Sequence, residues 1–120
     1  MIFQLNKSKP ICPQIASQIC VMIAIGSLKA EEKLPSVRTL AIQNGVNPNT
    51  VQKAFEQLQQ MNLIYSKPCM GWYVCENIEV ASKNLSELIN NTVIHFFEQM
   101  QKLGCNITET KKIIREWKDE

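Results

Sequence analysis

Glycine is scarce in this 120-residue chain, with four in all, so most of the backbone is expected in regular structure. Histidine occurs once, at His95, and the five cysteines (Cys12, Cys20, Cys69, Cys75, Cys105) contain no C-x-x-C pair. A zinc site draws on clustered thiolates and imidazoles, so no metal and no cofactor is expected. An odd cysteine count without a secretory leader points to reduced thiols in a cytoplasm. Long apolar runs are missing as well. The uncharged stretch from Pro10 to Leu28 includes Gln14, Ser17, Gln18 and two prolines, and its continuous apolar run is only Ile19–Ile25. A membrane span needs ~20 apolar residues, so no membrane partner is expected. There is no internal repeat and no low-complexity linker.

What is present reads as an ordinary globular chain: 45% hydrophobic, 20% charged, net charge +2. The length fits one domain, or one domain with a short appendage, and excludes multidomain enzymes and barrel-sized folds. The charge is unevenly spread. Residues 1–75 sum to +4 and residues 76–120 to −2. A basic front and an acidic rear place any polyanionic partner at the front.

Ile15, Ile19, Met22 and Ile23 form the stripe of a half-buried helix. It is expected to start near Pro13, where proline is tolerated in the first turn, and to end at Gly26. Residues 27–35 read as a loop. Ser36 is a good N-cap for a short helix through Val37, Leu40 and Ala41. Asn44-Gly45 stops that helix, Asn47 caps the next, and Pro48 takes its first position. Val51, Ala54, Phe55, Leu58 and Met61 give the following helix an apolar face of about three turns.

Two short helices joined by a glycine-containing turn outline a helix-turn-helix. The second helix carries Asn49, Thr50, Gln52, Lys53, Glu56 and Gln57 on its other side. Asparagine and glutamine suit adenine edges, and threonine and lysine suit phosphate. The competing interpretation is a solvated helix face. Leu63–Ser66 and Trp72–Cys75 are β-prone and flank a five-residue tip, Lys67–Gly71, which together make a hairpin wing. The fold class is therefore mainly α with a small β-hairpin: a winged helix-turn-helix over residues 1–75, followed by a two-helix C-terminal tail over residues 76–120.

In the tail, Leu85, Ile89, Phe96, Met100 and Leu103 recur at helical steps, Gly104 breaks the helix, and Asn106 or Thr108 caps a last one carrying Ile113, Ile114 and Trp117. Two helices this short cannot build a core alone. Their apolar stripe, with Ile114 and Trp117, is expected to pack on a second copy, so a homodimer is the expected assembly. Dimerisation through the first helix and closure of the stripe within one chain both stay open.

The runs Pro13-Gln14-Ile15, Lys33-Leu34-Pro35-Ser36-Val37-Arg38-Thr39-Leu40-Ala41, Gly45-Val46-Asn47-Pro48-Asn49-Thr50-Val51-Gln52-Lys53-Ala54, Leu63-Ile64-Tyr65-Ser66 and Gly71–Val74 keep an order and spacing that resemble a GntR-family DNA-binding domain. The short tail is similar to that of the YtrA subfamily. The resemblance implies a homodimeric bacterial repressor on a two-fold-related, double-stranded operator. It implies that Ser36 meets phosphate and that Arg38 reaches DNA with a fork suited to guanine or phosphate. Asn47, Asn49, Thr50, Gln52 and Lys53 match the DNA-facing start of the recognition helix, with Asn49 and Gln52 on bases and Thr50 and Lys53 on the backbone. Tyr65, Lys67 and Gly71 match wing positions.

This sequence departs from the family at two places. The wing reads Lys67-Pro68-Cys69-Met70-Gly71-Trp72 and lacks one glycine, two basic residues and a threonine of the family pattern. Glu31-Glu32 replaces the glycine-acid pair usual before Lys33, a change expected to stay within a surface turn. A protein-interaction module without specific DNA binding is the alternative function. An enzyme is not expected, because His95 has no nucleophile or carboxylate partner in the pattern. Thiol sensing at Cys69 or Cys75 is a minor reading beside that of incidental small hydrophobes. The identity of any small-molecule effector is not written in the sequence; its expected place is near Phe96, Met100 and Trp117 at the dimer interface.

Overall fold

The structure, a computed structural model, describes residues 1–118. Five helices and one hairpin follow in order: α1 (Ile11–Ala24), α2 (Val37–Asn44), α3 (Pro48–Gln60), β1 (Ile64–Lys67), β2 (Gly71–Val74), α4 (Glu79–Lys102) and α5 (Ile107–Glu116). They fall into two compact units, the first Met1–Leu85 and the second from Ser86 onward. The first unit therefore runs beyond residue 75, because Ala81 in the first turns of α4 is fully buried in its core.

α1 begins two residues before Pro13. Gln14 donates to the carbonyls of Pro10 and Asn6 (both 2.9 Å) and accepts from the Asn6 amide at 2.7 Å, which ties the preceding chain to the first turn. Its stripe Ile15, Ile19 and Ile23 is wholly buried, each residue contributing on the order of 1.5–3 kcal/mol. α3 lays Val51, Ala54, Phe55 and Leu58 across α1 and α2, and all four are fully buried.

The hairpin pairs Ile64 with Val74, Tyr65 with Tyr73, Ser66 with Trp72 and Lys67 with Gly71. The tip is thus three residues, shorter than the five expected. Ile64 and Val74 sit in the core, and the Trp72 ring meets Phe55 edge-on at 5.6 Å. This fixes the wing against α3.

The segment 27–35, expected as a plain loop, runs alongside β2. Leu34 donates its amide to Trp72 O (2.8 Å), Val74 donates to Glu32 O and Glu31 donates to Val74 O (both 2.9 Å), and Lys33 forms a bridge with Tyr73. The first residues also have a place. Phe3 is buried, and its amide donates to the Asn44 side chain at 2.8 Å, while Gln4 and Gln18 bond reciprocally.

In the second unit, α5 starts on a capping box. Asn106 accepts from the Glu109 amide at 2.8 Å, and the Glu109 carboxylate accepts from the Asn106 amide. Asn106 rather than Thr108 is therefore the cap. Thr110 is fully buried and returns its hydroxyl to Asn106 O.

Candidate nucleic-acid interface

Local capping decides how the two helices of the motif present their ends. The Ser36 hydroxyl accepts from the Thr39 amide (3.1 Å) and lies 2.8 Å from the Thr39 hydroxyl. Leu40 N–H already bonds Ser36 O. The amides of Val37 and Arg38 are left as the unpaired donors of this N-terminus among the described residues, an arrangement suited to an anionic oxygen. Arg38 itself is exposed.

α3 differs. Asn47 accepts from the Asn49 amide at 2.8 Å, Thr50 and Val51 donate to Asn47 O, and Pro48 has no N–H. Its backbone donors are consumed, so side chains carry whatever this end reads. Asn47, Asn49 and Lys53 are exposed, and Thr50 and Gln52 are half-buried. Gln52 donates to the Glu56 carboxylate one turn on, at 3.3 Å. Gly45 joins the helices at φ 62, a left-handed cap that an L side chain adopts at a cost.

The outward side of the wing carries Tyr65, Lys67 and Tyr73. The two rings stack 5.9 Å apart, and Lys67 Nζ lies 4.3 Å from the Tyr73 centroid and 5.8 Å from that of Tyr65. Tyr65 donates its hydroxyl to Glu31. That hydrogen bond, with burial and the Glu31 charge behind it, pushes the phenol up to about 12. Glu31 sits at φ 67, the left-handed region where the family places glycine. The Glu31 change thus reaches past its own turn and takes hold of a wing tyrosine.

The turn from Lys67 to Met70 closes with a 3.0 Å bond from the Met70 amide to Lys67 O. It places Cys69 at φ 60 in the third position, where a type II turn demands positive φ. Gly71 follows at φ 103, and a Cβ there would lie 3.3 Å from Lys33 Cε. Its role is to let the chain and Lys33 pass. Cys75 donates its thiol to Asn77 O, and burial pushes that thiol up, away from the reactive thiolate.

The sequence-predicted residues thus gather on one unit: Ser36 and Arg38 at α2, Asn47 to Lys53 at α3, Tyr65 to Gly71 at the wing. Three parts of this unit were given no site role by the sequence: Glu31, Lys33 and the amino-terminal strip through Phe3. The alternation Phe3-Gln4-Leu5-Asn6 is a signal for the strip. Nothing local marks the other two.

The second unit keeps large apolar side chains in solvent: Ile89 at 56%, Leu103 at 77% and Trp117 at 69% exposure, with Phe96 and Ile114 also exposed. Leu85 and Met100 are half-buried. At 3.6 residues per turn, Leu85, Ile89, Phe96 and Met100 fall within about 60° around α4, and Leu103 lies in the turn just past its end. A cavity of about 360 Å³ opens between α4 and α5, lined by Ile94, Phe97, Glu98, Gln101, Ile107 and Lys111. The residues expected around an effector, Phe96, Met100 and Trp117, do not line it. No helix among the described residues is long and apolar enough to cross a membrane.

A family model described as bacterial regulatory proteins, gntR family, matches residues 13–74. The chain is similar to an uncharacterised HTH-type transcriptional regulator, YhcF of Bacillus subtilis, with 34% identity over 106 residues covering 88% of each chain. It is also similar to the HTH-type transcriptional repressor YtrA of that species, with 34% identity over 98 residues, 82% of this chain and 71% of that protein. Among solved structures, a GntR family transcriptional regulator from Listeria monocytogenes matches with a TM-score of 0.79 at 31% identity, covering 95% of this chain and 100% of that one. AraR(DBD) in complex with operator ORX1 matches with a TM-score of 0.54 at 28% identity, over 62% of this chain and 95% of that one.

Proposed function

Because the chain belongs to the gntR family of bacterial regulatory proteins and is a DNA-binding transcriptional regulator rather than an enzyme, we propose that it acts in the cytoplasm as a homodimeric repressor on a two-fold-related operator. The observation that carries the proposal is the division of labour between two helix ends. α2 offers unpaired amides beside Arg38, and α3 offers only side chains. Phosphate contacts position a protein on the duplex, and base contacts specify the sequence. The reading assigns Ser36 and the start of α2 to a phosphate and Arg38 to a base or a phosphate. It assigns Asn49 and Gln52 to base edges, with Thr50 and Lys53 on the backbone. Asn47 is both cap and flank. Tyr65, Lys67 and Gly71 shape the wing.

The repressor sense is supported by similarity to a protein named a repressor. Operator binding is supported by likeness to an operator-bound chain. The dimer is supported by the exposed stripe of α4 with Ile114 and Trp117. Two α3 helices on a two-fold-related operator would read half-sites about 34–36 Å, one turn of DNA, or a multiple of it apart. Selection of duplexes from a randomised library by the purified protein tests the proposal. A two-fold-related consensus is expected. Failure to enrich any sequence would overturn it in favour of a docking module.

A further inference from the structure

The three residues at the wing tip, Pro68, Cys69 and Met70, are exposed and carry no charge. Lys67, at the start of the turn, is folded back over Tyr73 and Tyr65. A wing built only from its own residues therefore presents a single exposed cation, drawn in over the rings, to a polyanion. The segment before α2 changes this. Main-chain bonds from Leu34 to Trp72 and from Val74 to Glu32, with the bridge between Lys33 and Tyr73, hold Lys33 in register with β2. Its Cε lies 3.3 Å from the position a Cβ would take on Gly71, so the lysine stem crosses the wing where that residue has no side chain. Lys33 is exposed, and its charge stands in solvent at the wing.

We infer that Lys33 is the phosphate-binding cation of this wing, supplied from outside the hairpin. The lysine is mounted on a hydrogen-bonded strip of chain, so its main chain and inner stem are already ordered before DNA arrives, which lowers the entropic cost of the contact. Gly71 holds φ 103, a conformation L side chains rarely adopt, and a Cβ there would also press on the stem. Two acidic groups precede Lys33: Glu31 accepts from the Tyr65 hydroxyl, and Glu32 accepts from the Lys29 amide at 3.1 Å.

The inference rests on the DNA-binding reading, and the test separates the two. The probe is the duplex recovered by selection with the wild-type protein, titrated at several salt concentrations. Lys33→Met keeps the stem over Gly71 and removes the charge. The log–log salt slope should fall by about 0.9 per subunit, so that the affinity lost between about 50 and 200 mM salt shrinks roughly threefold per subunit. Sequence preference and melting temperature should stay as in the wild type, and Lys33→Arg should restore the slope. An unchanged slope in Lys33→Met overturns the inference while leaving operator binding standing. Failure of the wild type to bind any duplex overturns the underlying reading before a variant is made.

Discussion

Replacing Cys69 by glycine should make the wing, and with it the first unit, more stable. Cys69 is held at φ 60 by the turn that Lys67 and Met70 close. An L residue in left-handed backbone costs about 1–2 kcal/mol, which glycine does not incur. Against this, glycine loosens the unfolded chain by about 0.4–1 kcal/mol. The difference favours Cys69→Gly by about 0.5–1 kcal/mol. For a unit of this size that is a rise in melting temperature of about 2–8 °C. The thiol is exposed, so its loss removes no core packing. Thermal unfolding followed by circular dichroism in excess reductant measures the shift. Cys69→Ala is the control: it removes the thiol, keeps the Cβ, and should melt with the wild type. If Cys69→Gly melts at or below the wild type, or Cys69→Ala rises equally, backbone strain is not the cause and the reasoning fails.

Tyr65→Phe addresses the bond to Glu31. With the phenol raised from 10.0 to about 12 in the folded chain, the protonated form is favoured by folding. Its contribution is therefore whole below pH 10 and is lost as pH climbs toward about 12. The variant should show a flatter decline in stability across that window in denaturant titrations, and an identical decline would refute the assignment. Arg38→Ala should weaken binding to the selected duplex by about 1–3 kcal/mol per half-site, with relaxed preference at one position, if the guanidinium reads a base; unchanged affinity removes it from the interface. Phe96→Glu places a charge in the middle of the exposed α4 stripe and should yield monomers in sedimentation, with operator binding weakened. A variant that sediments with the wild type would rule out this face as the dimer contact.

The fold was legible where local chemistry is decisive. Ser36, Asn47 with Pro48, and Gly45 announce two helices and their turn, because caps and left-handed glycines are properties of a few adjacent residues. The α4 stripe announces itself by period alone. What stayed hidden is non-local. Nothing next to Lys33 tells that it will lie across Gly71, thirty-eight positions away. Glu31 and Tyr65 meet only after the segment 27–35 has aligned with β2. Asn44 looks like a helix stop, yet its side chain also receives the Phe3 amide and so seats the start of the chain. Where a family glycine is replaced, at Glu31 and at Cys69, the backbone keeps the glycine conformation and the side chain accommodates it. The sequence records the substitution but not the persistence of the geometry.

The unequal helix ends have a consequence for how such a regulator changes over generations. If the start of α2 holds the duplex through main-chain amides, mutation cannot delete that grip except by unfolding the turn or inserting proline. The start of α3, whose amides are all spent internally, has only Asn49, Gln52 and their neighbours to offer. A lineage can then exchange those side chains and drift toward new target sequences while its hold on any duplex persists. Retargeting would pass through intermediates that still bind DNA weakly everywhere, rather than through a protein that binds nothing.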